Sequence, residues 1–299
     1  MSPVRVETVY GNTGCLFLTG ICIPFYRLGE KEWILLDSGS RFVRGELLSY
    51  LDAHQIRVRA VLCSHAHFDH IENNRCLQES HGAGIVMTAF DGGMAHDALA
   101  LKACFYSQTE SDNEVNCGEM ICRADCILHP DERRAKICGT WFELLPLPGH
   151  AASHMGILTP DGVMYLADSL FTSQVLEREK LFYMFSWRRA LETMERIQSF
   201  RFRRYILAHQ GVESEICGLA AWNRKRLEQE LEALLWLCIG EPGLEELAGR
   251  VAEARGISVQ SVKKARFMER TVRSMAEYWL EQGELEIRLK DGRLVYVRR

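Results

Sequence analysis

A chain of 299 residues with 47% apolar and 25% charged side chains is long enough for one large folded domain, or for a large one with a small companion. Its formal charge of -4 at pH 7 creates no overall field that would draw in a polyanion, so any nucleic-acid site has to be local. No apolar run reaches the roughly 18 residues of a membrane span, the opening MSPVRVETVY lacks the order of a signal peptide, and the eleven cysteines read as reduced thiols. A cytoplasmic location without a membrane partner is the expectation.

The elements follow in chain order. Trp33 to Leu36 is a short apolar run that ends in Asp37-Ser38-Gly39. Val58 to Cys63, rich in β-branched residues, predicts a strand, and directly after it SHAHFDH places three histidines and an aspartate in residues 64–70. Ile71 to Glu79 fits a helix that His81-Gly82 would stop, and Ile85 to Met87 is the next strand. The histidines therefore lie on a strand-to-helix loop, where rigid layers hold side chains that solvent can still reach. From Phe90 to Cys126 the composition is too irregular for two sandwich strands, and this 90–126 insertion is read as a lid or a dimer contact. Its cysteines Cys117, Cys122 and Cys126 lack the paired spacing of a zinc knuckle and read as free thiols. His96 and His129 read as surface or packing histidines.

A metal needs more ligands than one loop can aim. Three isolated residues downstream meet the requirement: His150 in LPLPGH after the strand Trp141 to Leu145, Asp168 in MYLADS after Val163 to Leu166, and His209 in YILAHQG after Tyr205 to Leu207. Each alone would read as a satisfied core residue; the repetition at strand ends is what carries weight. His154, four residues beyond His150, is read as a supporting residue. The aromatic-rich stretch from Phe171 to Trp187 is expected mainly to supply core, ahead of a helix from about Arg188 to Ser199.

The last eighty or so residues change character. Leu227 to Leu237 and Leu244 to Ala254 are amphipathic helices separated by Gly240-Glu241-Pro242-Gly243, and a third helix follows Gly256. On the third, Val262, Ala265, Met268, Val272, Met275 and Trp279 share one face, while Lys263, Lys264, Arg266, Arg270 and Arg273 occupy the rest. After Gly283, Leu285, Ile287 and Leu289 alternate up to Asp291-Gly292, which predicts a hairpin pairing Leu289 with Leu294 and Ile287 with Tyr296. Three helices and a hairpin are the order of a winged helix, so the domains are set at 1–222 and 223–299.

The order HxHxDH, then PGH, then an aspartate after an apolar strand, then a histidine in an AHxG-like turn resembles the metallo-β-lactamase-fold hydrolases over about residues 1–215. The resemblance implies an α/β, four-layer αββα sandwich. It implies that His65, His67 and His150 hold one metal, that Asp69, His70 and His209 hold a second, and that Asp168 bridges them. Asp37 resembles a supporting residue beneath the site. In architecture the tail is similar to the winged helix of the β-lactamase-like protein 2 group, which is linked to cleavage of single-stranded RNA. Antibiotic hydrolysis is not expected, because β-lactamases of this fold lack the bridging aspartate. The quorum-signal lactonases place a tyrosine where Ser169-Leu170-Phe171 stands.

Two dications held by imidazole and carboxylate lower the pKa of a shared water until hydroxide is available near neutral pH. Asp69 is placed to orient it. Zinc is the default pair of divalent ions for such a ligand set, which iron and manganese also accept. The expected function is a binuclear metallo-hydrolase acting on an ester, thioester or lactone carbonyl of a small-molecule substrate. The competing expectation is a single-stranded RNA endonuclease whose tail clamps nucleic acid. Docking or homodimer formation by the tail is preferred to RNA binding, since the basic helix spends one face on its own core.

Overall fold

The computed structural model describes residues 4–104, 109–209 and 211–299. Residues 105–108 of the 90–126 insertion, and Gln210 in the AHxG-like turn, lie outside the described residues. The chain forms two compact units. The first comprises residues 1–147, 153–172 and 201–216, and the second comprises 148–152, 173–200 and 217–299.

The first unit is built on two sheets. The larger contains β1 (Arg5–Tyr10), β2 (Thr13–Phe17), β3 (Cys22–Arg27), β4 (Glu32–Leu36), β5 (Arg57–Leu62), β6 (Gly84–Thr88) and β7 (Cys126–Leu128) in sequence order. Strands β1 to β4 form an antiparallel meander, and β4 to β7 run parallel. Strands covered on both faces should be continuously apolar rather than alternating. Ile34-Leu35-Leu36 and Ile85-Val86-Met87 meet that requirement and are buried. The connections carry α1 (Arg44–Ala53), α2 (Phe68–Ile71), α3 (Asn74–His81), α4 (Ala89–Met94), α5 (Ala98–Cys104) and α6 (Glu110–Cys117). Helix α3 packs on β5 and β6, and α4 on β6 and β7.

The second sheet has the order β13 (Gly211–Glu213), β12 (Arg204–Leu207), β11 (Val163–Ala167), β10 (Met155–Leu158), β9 (Thr140–Pro146) and β8 (Arg134–Ile137), with β11 and β12 parallel. The two sheets share one apolar core in which Leu16, Phe25 and Ile34 belong with Phe142, Ile157 and Tyr165. Tyr26 meets Phe142 edge-on at 5.6 Å between ring centroids. Parallel pairing brings the carboxyl ends of β4, β5 and β6 to one edge, and those of β11 and β12 together. The Cys22 N–H donates to Ala208 O at 2.7 Å, tying the end of β12 to the first sheet.

One expectation changes at this edge. The helix expected over 71–79 is two helices, broken at Glu72-Asn73, because both side chains are taken by the loop after β4. Asn73 Nδ2 donates to the carbonyls of Ser38, Gly39 and Ser40, and the Glu72 carboxylate accepts the Arg41 N–H at 2.8 Å. The start of the 90–126 insertion forms α4, which the sequence had not suggested, with Asp91 and Met94 buried.

In the second unit, α7 (Ser173–Arg178), α8 (Trp187–Ile197), α9 (Cys217–Leu237), α10 (Leu244–Ala254) and α11 (Val262–Gln282) precede a hairpin of β14 (Leu285–Lys290) and β15 (Arg293–Arg298). Trp187 is buried in this unit and its indole N–H donates to Ser274 Oγ at 3.1 Å, which fixes α8 on α11. Helix α11 starts at Ser261, whose hydroxyl accepts the Lys264 N–H, and ends at Gly283, where φ is 78°. Met268, Val272 and Met275 form its buried stripe, whereas Val262 is exposed. The hairpin has the expected pairing of Leu289 with Leu294 and Ile287 with Tyr296. Its tip is nonetheless solvated: Leu289 is 73% exposed and Leu294 64%, while Leu285, Val295 and Tyr296 anchor its base. Among the described residues, no helix is long and apolar enough to cross a membrane.

Candidate metal centre

The first unit builds its polar centre around Asp37. This residue ends β4 with φ 66°, a left-handed conformation that aspartate tolerates better than most residues and that turns its side chain toward the sheet edge. The carboxylate is 1% exposed and takes four donors. These are the Ser64 N–H at 2.7 Å, the Ser64 hydroxyl at 2.6 Å, the Tyr165 hydroxyl at 2.7 Å and His70 Nδ1 at 2.8 Å. An aspartate that only formed a turn would not gather four buried donors. With Nδ1 committed to Asp37, His70 offers Nε2, which is buried without a hydrogen-bond partner.

Opposite that nitrogen stand the residues from the second sheet. Asp168 Oδ2 lies 3.4 Å from His70 Nε2, and Oδ1 lies 3.4 Å from His209 Nε2, so the two oxygens of one carboxylate face different imidazoles. Asp69 Oδ2 is 3.9 Å from His70 Nε2 and 3.7 Å from His209 Nε2. The ligand atoms of Asp69, His70, Asp168 and His209 all lie within 4.8 Å of one another. Beside them, His65 Nε2 and His67 Nδ1 converge to 3.0 Å, and the His65 ring sits 4.1 Å from that of His70.

His150 is carried by the loop 148–152, which belongs to the second unit. The residues that flank it in sequence are joined within the first unit, where the Leu147 N–H donates to His154 O at 2.8 Å. Within the second unit the loop lies against α8. A Cβ on Gly149 would fall 2.4 Å from Ala190 Cα, so only glycine fits there, and the Phe185 N–H donates to His150 O at 3.3 Å.

Burial and charge act against each other here. Asp168 holds the His209 imidazole up to about 9, against the effect of burial. Burial works against a charged His70, but the carboxylates of Asp168, Asp69 and Asp37 outweigh it and raise its pKa well above the usual value. Burial likewise opposes a charged Asp168, and His209 and His70 together hold it well below the carboxylate range. Without a cation, protons on two imidazoles neutralise the buried carboxylates. A divalent cation fits the same place: it satisfies the orphaned His70 Nε2, and the mixed imidazole and carboxylate donors suit zinc, iron or manganese alike.

His154, expected as a supporting residue, is buried, with Nε2 accepting the Asp168 N–H at 3.2 Å and Nδ1 at 3.2 Å from Ser169 Oγ. Among the described residues no metal-type cluster includes a cysteine, and Cys122 instead receives Asn74 Nδ2 at 3.7 Å. His96 and His129 lie at the surface beside Asp97 and Asp131. Sequence reasoning missed Tyr165 and Asp91. A signal existed for the first, since a tyrosine inside an apolar strand has to find an acceptor for its hydroxyl.

The family model described as the metallo-beta-lactamase superfamily matches residues 25–209, more than half of the chain. No curated protein sequence matches. A beta-lactamase domain protein from Burkholderia ambifaria shares the fold with a TM-score of 0.73 at 16% identity, over 100% of this chain and 94% of its own. A metallo-beta-lactamase family protein from Thermus thermophilus gives 0.67 at 19% identity, over 100% and 99%. BJP-1, a subclass B3 metallo-beta-lactamase of Bradyrhizobium japonicum, gives 0.56 at 15% identity, over 77% of this chain and 95% of its own. The α/β fold with its paired sheets, the histidine and aspartate donors for a divalent metal and the family match agree, and the chain belongs to the metallo-beta-lactamase superfamily of hydrolases.

Proposed function

We propose that this hydrolase cleaves an ester, thioester or lactone carbonyl of a small molecule with the help of two divalent cations, zinc by default. His65, His67 and His150 would hold one, Asp69, His70 and His209 the other, and Asp168 both. The observation that carries the reading is the Asp168 carboxylate, nearly buried and facing two imidazoles with separate oxygens. When bound, the cations supply a nucleophile from water near neutral pH and an electrophilic contact for the carbonyl oxygen.

The chain's own groups do the rest. Asp37 fixes the His70 ring and its tautomer through Nδ1, so that Nε2 always faces the centre. Asp69 is partly exposed and sits at the solvent edge of the cluster, where its carboxylate can accept a proton from an attacking water and pass it to the departing alcohol or thiol. His209 holds its ring through Nδ1, 3.3 Å from Gly20 O.

The nuclease alternative draws support from the exposed Lys263, Lys264 and Arg273 of α11. Its basic face is diluted, however. Arg266 pairs with Glu269 at 3.0 Å, and Arg270 Nε donates to the Tyr183 hydroxyl at 2.9 Å. Counterion release needs a concentrated run of cations, so a small-molecule substrate is favoured. The test is metal analysis of the purified protein with a parallel screen of thioesters, lactones and single-stranded RNA. Turnover of a carbonyl compound by protein containing about two metals supports the proposal; cleavage of RNA with no carbonyl turnover replaces it by the nuclease reading.

A further inference from the structure

Asp91 is no ligand, yet it is 2% exposed and its carboxylate gathers three donors besides its own N–H contact. In sequence, Thr88 and Asp91 have the spacing of a helix start, where an acid at the third position turns back to the capping residue. Part of that holds: Thr88 Oγ1 accepts the Asp91 N–H at 3.1 Å and donates its hydroxyl to Asp91 Oδ2 at 2.7 Å. The rest of the carboxylate looks away from the helix. Oδ1 accepts the Ala66 N–H at 3.1 Å, and Oδ2 also accepts the Ser153 hydroxyl at 2.8 Å.

Ala66 stands between His65 and His67, and its N–H belongs to the peptide plane from which the His65 side chain springs. Ser153 precedes His154 and the start of β10. A second link runs parallel to this one, since the Met155 N–H donates to Ser64 O at 2.9 Å. One buried carboxylate thus spans two loops that no strand pairing holds together, and a cap alone would have no use for either outer contact.

We infer that Asp91 is a positioning residue for the metal centre: it clamps the His65–His67 loop against the entrance of β10, so that both imidazoles meet a cation already converged. The inference rests on the assignment of His65 and His67 as ligands. Without the clamp the cation itself has to order an extended loop, and supporting partners of this kind are worth about 10- to 100-fold in metal affinity.

The experiment uses the full chain, stripped of metal and titrated with Co2+ against a competing chelator while the cobalt absorption is followed. The variants are Asp91→Asn, which keeps shape and acceptor Oδ1 but removes the charge, and Ser153→Ala, which removes one strut. Asp91→Asn is expected to unfold, metal-free, within about 3 °C of the parent. Its affinity for one of the two cations should fall about 10- to 100-fold with an altered absorption band, and Ser153→Ala should show a smaller loss. A metal-free Asp91→Asn that melts early but binds both cations as tightly as the parent makes Asp91 a helix cap only and overturns the inference. If Asp91→Asn does not fold, Ser153→Ala decides, and unchanged affinity there overturns it. A parent protein that takes up no cobalt at all refutes the ligand assignment itself, a result separate from any difference between parent and variant.

Discussion

Metal uptake by this protein should displace at least two protons, and the pH dependence of affinity should show it. In the metal-free protein His209 titrates at about 9 because of Asp168. At pH 7 only about 1% of it is then in the neutral form that a cation can bind. Removing its proton at that pH costs about 2.7 kcal/mol, two pH units at 1.36 each. Affinity should therefore rise about tenfold per pH unit from this residue alone between about 6.5 and 8.5, and flatten above 9. His70, also held above its usual value, contributes a second proton. The assay is calorimetric titration of Zn2+ into metal-free protein at pH 7, in two buffers of different ionisation enthalpy. The difference in apparent heat counts protons. Fewer than one proton released, together with affinity independent of pH from 6.5 to 8, would refute the charge balance described here.

The same shift has a consequence for stability. His209 has a folded pKa above its unfolded value of about 6.5, so its contribution to metal-free stability is complete below pH 6.5 and is lost as the pH climbs through 9; thermal melts of metal-free protein should fall across that window. Asp37→Ala leaves a backbone N–H, a phenol and an imidazole buried without their acceptor, and should lower the unfolding free energy by about 3–5 kcal/mol in urea titrations. Asp37→Asn should cost clearly less. Asp168→Ala removes the carboxylate whose two oxygens face His70 and His209 separately, and metal analysis should then find about one equivalent or none with activity lost at least a hundredfold. All eleven cysteines are unbridged, so alkylation of denatured, unreduced protein should label every one of them, and mass spectrometry would expose any bridged pair.

Much of the sheet edge was legible because it is local. Val58 to Cys63 followed by SHAHFDH is a strand and its loop whatever the rest of the chain does, and β5 is found at Arg57–Leu62. The short strands before His150, Asp168 and His209 were readable for the same reason. What stayed hidden depends on partners distant in sequence. Nothing near Glu72 and Asn73 announces that the loop after β4 will take their side chains and split a helix. Asp91 sits in a stretch whose local pattern says only that a helix begins, and its two outer contacts, Ala66 and Ser153, lie 25 and 62 residues away. The hairpin register followed from the turn residues, but alternation alone did not say which face would be covered, and Leu289 and Leu294 remain in solvent.

The five-residue loop bearing His150 has a bearing on how the protein is made. It packs with α8, and α8 is fixed by Trp187 to Ser274 on α11. A ribosome delivers the loop near the midpoint of synthesis and α11 close to the end, so the loop, and later α8, are made well before the helix that supports them. Domains generally fold as units as they emerge; here the second unit interleaves with the first along the chain. Under the proposed ligand assignment, the group Asp69, His70, Asp168 and His209 is complete by residue 209, whereas the loop bearing His150 packs on α8, which is held by α11 near the end of the chain. Nascent chains arrested at successive lengths should accordingly acquire chelator resistance in two steps rather than one.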